Sequence, residues 1–213
     1  MTPLDNFKSI YTKVNLLSKN ATIIVVSKTF QMSIIEPLIS YGHRHFGENR
    51  VNETKDKWSS ILKQKKDLKL HFLGKLQTNK IKDVVEMFSY IHSLDNEKLA
   101  NKLSIEEVNY KKKLKYFIQV NTGNEIQKSG VNIKESDDFI NYCLNSLKLN
   151  VIGLMCLPPL EEDPSKHFNL LSDIAKKNNL KNLSMGMSND YLIALSCGSN
   201  YLRIGSAILG MRN

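Results

Sequence analysis

The chain has 213 residues, 41% of them hydrophobic and 24% charged, with a formal net charge of +9. That suffices for one sizeable core near the lower size limit of a complete α/β barrel, and no stretch approaches the roughly 18 apolar residues of a membrane span. The segment Met1 to Lys8 lacks the apolar region of a secretory signal, and Cys143, Cys156 and Cys197 are too scattered for a disulfide framework or a metal signature, so a soluble cytoplasmic protein without a metal is expected.

In chain order, a helix is predicted over about 4–18, then a strand at 22–27. This first strand, Thr22-Ile23-Ile24-Val25-Val26-Ser27, is a continuous apolar run closed by Lys28. Further strand-like runs fall near 44–47, 70–74, 90–94, 115–121, 151–156, 182–187 and 201–205. Between them lie amphipathic stretches. Ile81, Val84, Val85 and Phe88 follow the i, i+3, i+4, i+7 spacing of one buried helix face, as do Phe139, Ile140, Cys143, Leu144 and Leu147 in a helix expected from about 134 to 147. Asp163-Pro164 reads as an N-cap followed by proline at the first helical position, with Phe168, Leu171, Ile174 and Ala175 turned inward.

Strands alternating with helices imply βα units and a parallel sheet. About eight such units after an extra N-terminal helix predict a (β/α)8 TIM barrel, taken as a single domain over 1–213 because no linker or change of composition divides the chain. An open doubly wound sheet is the alternative. It usually announces itself by a glycine-rich turn after the first strand, and here that turn is Ser27-Lys28-Thr29-Phe30. The excess positive charge is mostly lysine, in runs such as 63–66 and 111–115, which fall where helices should end. Neither run is interleaved with aromatics, so they read as a solvated face and no nucleic-acid partner is expected.

In a parallel barrel the active site lies at the C-terminal ends of the strands. The polar residues that end the apolar runs are Lys28, Glu48-Asn49, Gln77 and Asn79, Ser93 and Asp95, Asn121-Thr122-Gly123, Ser188 and Gly205-Ser206. Taken singly, each position reads more readily as a helix N-cap than as a ligand contact, and Asn49, Asn79, Ser188 and Asn189 would all serve as caps. Lys28 and the last two segments say more. An amine at the rim of an apolar core loses solvation, which favours its neutral, nucleophilic form and Schiff-base formation with an aldehyde. Ser188 and Gly205-Ser206-Ala207 offer hydroxyls and backbone N–H groups at turns after the last two strands, the usual place for a phosphate in such barrels. Arg203 is set to point with Gly205 and to bind an anion or a ring nitrogen. A Schiff-base lysine opposite a phosphate cup describes a site for pyridoxal 5′-phosphate.

These segments resemble those of the pyridoxal phosphate homeostasis proteins, relatives of the barrel domain of alanine racemases. The resemblance runs from about Ile23 to Gly210. It rests on Val25 to Lys28, Phe46-Gly47-Glu48-Asn49, His71 to Lys80, Ile91-His92-Ser93-Leu94-Asp95, Gln119-Val120-Asn121, Gly153-Leu154-Met155, Leu183 to Ser188 and Arg203 to Gly210. It implies a barrel with Lys28 as the covalent anchor, Asn49 near the cofactor's ring oxygen, Arg203 near the pyridine nitrogen, and Ser188, Gly205 and Ser206 on the phosphate. Ser206 stands where threonine is usual and keeps the hydroxyl. Cys156-Leu157-Pro158-Pro159 departs from the family's polar, glycine-rich loop, which affects any partner contact made through that loop.

A racemase needs a base on each face of its substrate, and in alanine racemases one comes from a second, β-rich domain. The chain ends at Asn213, shortly after the phosphate segment, and an arginine on the pyridine nitrogen weakens the cofactor as an electron sink. The expectation is a carrier or buffer of pyridoxal phosphate with no catalytic residues, monomeric, with pyridoxal phosphate-dependent apoenzymes as recipients. The alternatives are a racemase-like enzyme of low activity, a nucleic-acid-binding protein and a cofactor-free aldolase.

Overall fold

Eight strands run parallel and close on themselves. The structure, a computed structural model, describes residues 1–125 and 127–211. The strands are β1 (Thr22–Val26), β2 (His45–Glu48), β3 (Lys69–Phe72), β4 (Tyr90–Leu94), β5 (Lys115–Asn121), β7 (Val151–Met155), β8 (Asn182–Ser184) and β9 (Tyr201–Ile204), and a two-residue β6 (Val131–Asn132) is added beside β5. Their order is β4-β3-β2-β1-β9-β8-β7-β5, and β5 pairs back onto β4 to complete the TIM barrel. That closure excludes the open sheet.

Helices cover the outside: α1 (Pro3–Leu17), α2 (Met32–Tyr41), α3 (Val51–Gln64), α4 (Ile81–Met87), α5 (Glu97–Asn109), α6 (Ser136–Asn141), α7 (Pro164–Lys177), α8 (Tyr191–Ser196) and α9 (Ser206–Leu209). The extra N-terminal helix is α1, opened by a capping box in which Thr2 and Asp5 satisfy each other's backbone N–H groups. It buries Phe7, Ile10 and Val14 against α2 and α9. Asp163 caps α7 by accepting the Ser165 N–H at 3.0 Å, with Pro164 at the first position as expected.

Three expectations about elements change. The helix expected over 134–147 is a 3₁₀ turn (Ile133–Glu135), the short α6 and a π-helical turn (Tyr142–Ser146). The wider turn still buries Cys143 while Tyr142 exchanges hydrogen bonds with Asn101 of α5. The strand expected to reach residue 187 stops at Ser184, because Gly186, at φ +92°, turns the chain. The lysine run at 111–115 is partly tied down: Lys112 donates to the Glu86 carbonyl, Lys113 pairs with Glu107, and Lys115 reaches the Tyr90 hydroxyl.

The main core lies between barrel and helices, where Trp58, Phe46, Phe72, Phe88 and Phe168 are almost fully buried. Each such side chain contributes about 1.5–3 kcal/mol of burial free energy. A second cluster, Tyr90, Phe117 and Met155 with Ile152 and Tyr201, fills the barrel's interior. Cys143 and Cys156 are buried thiols whose pKa burial pushes up to about 12, and Cys197 is half-buried. Reactive thiolates are disfavoured at the two buried sites.

Candidate functional site

Lys28 leaves the end of β1 half-buried, in a turn held from below. Its neighbour Ser27 is fully buried and donates its hydroxyl to Glu48 Oε1 at 2.7 Å. The same carboxylate oxygen accepts Trp58 Nε1 at 2.9 Å and faces Lys57 Nζ at 3.0 Å. Lys57 also donates to the carbonyls of Ser27 (2.8 Å) and Phe30 (3.1 Å), and pairs with Glu53. Thr29 sits at φ +69°, an unfavourable conformation for a β-branched residue, and Glu53 accepts its N–H. Backbone groups on both sides of Lys28 are thereby clamped to α3. The polar end of β2 marked Glu48 as a candidate from sequence. Glu53 and Lys57 escaped notice, and their i, i+4 spacing is the signal that could have found them.

The second part of the site is built on the turns after β8 and β9. Ser188 is half-buried, and its Oγ accepts the N–H groups of Gly205 (3.3 Å) and Ala207 (3.1 Å). Ser206 is exposed at the start of α9. The sequence reading set this turn opposite Lys28. The register corrects that, because Val25 pairs with Ile204 and β1 is the direct neighbour of β9. A Cβ placed on Gly205 would meet the Val26 side chain at 3.4 Å. Lys28 and Gly205-Ser206 therefore leave the same end of adjacent strands.

Arg203 lies just inside, 5% exposed. It donates to the Ser184 carbonyl (2.5 Å), to Ser184 Oγ (2.7 Å) and to the Cys156 carbonyl (2.9 Å). Burial lowers its pKa, with Cys156 and Asp190 opposing, yet a guanidinium stays protonated. Three of its five N–H donors are used, which leaves two for a ligand. The loop at 156–159, set apart in the sequence by its apolar character, thus supplies part of the cradle.

Asn49 follows β2 at the same end. The residue at the N-cap position of α3 is Arg50, without a side-chain cap bond, so Asn49 does not cap that helix. Its Oδ1 is buried with no hydrogen-bond partner. Gly74 packs so close that a Cβ there would stand 2.2 Å from the Asn49 carbonyl oxygen. A groove of about 770 Å³ opens alongside, lined by Asn49, Arg50, Phe72, Lys75, Gln77 and Lys80. Asn79 lies within a 3₁₀ turn and Asn189 in the turn before α8; neither caps a helix with its side chain. Among the described residues no group of three His, Cys, Asp or Glu is disposed to hold a metal.

The family model described as alanine racemase, N-terminal domain, matches residues 4–213. The pyridoxal phosphate homeostasis protein of Pasteurella multocida is 34% identical over 201 residues, 90% of this chain and 86% of that one. The protein of the same name from Escherichia coli K12 is 32% identical over 218 residues, 98% of this chain and 93% of that one. Among solved structures, PipY of Synechococcus elongatus with PLP bound superposes with a TM-score of 0.87 at 28% identity, over 98% of this chain and 100% of that one.

Proposed function

We propose, starting from the fact that this chain belongs to the pyridoxal phosphate homeostasis proteins and carries the alanine racemase N-terminal domain, that it binds pyridoxal 5′-phosphate and serves vitamin B6 homeostasis without a turnover reaction of its own. One adjacency carries the reading: a lysine at the end of β1 beside the Gly205-Ser206 turn at the end of β9, to which Ser188 of the turn after β8 is hydrogen-bonded. When bound, the cofactor supplies an aldehyde that condenses reversibly with a primary amine.

The residues present fit that group. Lys28 provides the amine, and the Glu48–Lys57–Glu53 clamp fixes the turn that carries it. Ser188, whose Oγ accepts the Gly205 and Ala207 N–H groups and so has its own hydroxyl proton to donate, holds the phosphate together with Ser206 on the Gly205-Ser206 turn. Arg203 has a remaining N–H donor for the ring nitrogen, and Asn49 Oδ1, an orphaned buried acceptor, suits the ring hydroxyl. A cationic guanidinium against the ring nitrogen opposes protonation there, so proton abstraction from a bound amino acid gains little. Lys28 is then an anchor, and the protein a store that gives the cofactor up to apoenzymes.

We take the whole of 1–213 as one cofactor-binding domain acting as a monomer in the cytoplasm. Among the described residues no helix is long and apolar enough to cross a membrane. The test is the visible absorption spectrum of the cofactor-loaded protein beside that of Lys28→Ala. The variant is expected to lose the visible band and to yield no borohydride-reduced adduct. An unchanged spectrum would show that another amine holds the cofactor. Rapid deuterium incorporation at Cα of single-enantiomer amino acids would favour the racemase reading instead.

A further inference from the structure

Three histidines stand in line inside the barrel beneath Arg203. His45 Nδ1 lies 2.9 Å from His71 Nε2, and His71 Nδ1 lies 2.9 Å from His92 Nε2. His92 Nδ1 lies 2.8 Å from Ser184 Oγ, the atom that accepts the Arg203 N–H at 2.7 Å. The rings come from the neighbouring strands β2, β3 and β4, and the last bond crosses the interior to β8. His71 stacks on Tyr90 at 4.1 Å and His92 on Phe117 at 4.3 Å, so the line is packed as tightly as an apolar core.

The direction of every bond in the line follows from the arginine. A guanidinium only donates, so Ser184 Oγ accepts from it, and the serine's own proton needs another acceptor. His92 Nδ1 is the one in reach. With Nδ1 accepting, the neutral His92 carries its proton on Nε2 and donates to His71 Nδ1. By the same step His71 donates from Nε2 to His45 Nδ1, and His45 keeps its proton on Nε2 at the N-terminal rim. All three rings are neutral near pH 7. Burial holds His71 and His92 far below the usual imidazole value, helped by the neighbouring imidazoles and by Arg203. His45 falls to about 4 through burial, then Lys69 and Lys115. The other titratable groups facing the line are His43, Tyr90 and Tyr201.

We infer that His92, backed by His71 and His45, is a positioning residue for Arg203: a one-way line of hydrogen bonds locks the Ser184 hydroxyl as an acceptor and so fixes which N–H groups of the guanidinium remain for the ligand. A buried polar line is costly unless every member is satisfied. This one is satisfied from the arginine outward to the rim. The inference rests on the ring-nitrogen role given to Arg203 above.

Long-range ¹H–¹⁵N correlation spectra of the ¹⁵N-labelled protein, with and without cofactor, test the line directly. The expected result is a proton on Nε2 of His45, His71 and His92. A proton on Nδ1 of His92 or His71 overturns it. Two variants test the consequence. His92→Asn keeps an acceptor oxygen near the Nδ1 position but is too short to reach His71, whereas His92→Phe removes the acceptor. His92→Phe is expected to release cofactor about tenfold faster, the weight of one charge-assisted hydrogen bond, with a shifted visible band, and His92→Asn to restore most of the difference. Wild-type release from His92→Phe, or equal losses from both variants, overturns the positioning role. Should the wild type bind no cofactor, the functional reading fails while the spectra of the cofactor-free protein still decide the line. Should His92→Phe fail to fold, the wild-type spectra and His92→Asn decide it.

Discussion

Acid should unfold this protein through its histidines before its carboxylates take part. His43 and His45 have pKa values drawn down to about 4 by burial, and those of His71 and His92 lie well below the usual value. For a base whose folded pKa is depressed, the unfolded chain binds more protons, so stability is full above the unfolded pKa of about 6.5 and drains away as pH falls below it. At about pH 5.5 all four native rings are still neutral, while each unfolded ring is mostly protonated, at a cost of about 1.4 kcal/mol. Four rings give about 5.5 kcal/mol, or about 5 after discounting His43 and His45 for their partial exposure. A domain with a total stability of about 5–15 kcal/mol is close to unfolding at that point. The carboxylates of Asp5, Asp67, Asp137 and Asp163, lowered by hydrogen bonds, work the same way only below about pH 3.8. Urea titrations of the cofactor-free protein from about pH 7.5 down to 5.5 should show unfolding free energy falling with a slope that steepens from below one proton to about three to four protons near pH 5.5. A slope that stays below one proton at about pH 5.5 would refute the neutral, buried column.

Three substitutions test other parts of the architecture. Gly153→Ala puts a Cβ 1.9 Å from the Asn182 carbonyl oxygen in the paired strand, and should cost about 3 kcal/mol in a urea titration by prising β7 from β8. Gly74→Ala presses on the Asn49 backbone instead. It should weaken cofactor retention about tenfold in equilibrium dialysis, the loss of one good hydrogen bond, with a smaller loss of stability than Gly153→Ala. Trp58→Phe removes the indole donor from the buried Glu48 carboxylate. It should lower stability by about 1–3 kcal/mol, read by thermal unfolding.

The eight strands could be read from the chain because each is a short apolar run bounded by polar turns, and all eight begin within one residue of where the pattern puts them. The turns at Ser188 and Gly205 were legible for a related reason: glycine and serine are the residues that bring backbone N–H groups to a ligand. Less could be read where both faces of a strand are buried. Alternation separates inside from outside, but in a closed parallel barrel it does not separate the interior from the helix-facing layer. His71 and His92 therefore pass as ordinary strand members, though they meet inside the barrel and His92 reaches across it to Ser184. The clamp of Lys57 on the turn of Lys28 also joins residues whose proximity depends on how α3 lies over β1. Nor does spacing reveal which strands become neighbours, which is why Lys28 was placed opposite Gly205 rather than beside it.

That adjacency has a kinetic side. The strand at 22–26 finds its second partner, after the strand at 45–48, in the strand at 201–204, and at about 5–20 residues per second a ribosome needs roughly 10–35 s to make the intervening chain. Throughout that interval a nascent polypeptide displays residue 28 without the turn at 205–206. On the proposed site, capture waits for the synthesis of residues 201–206, and a chain released before them would carry the amine yet have no means of retaining what it caught.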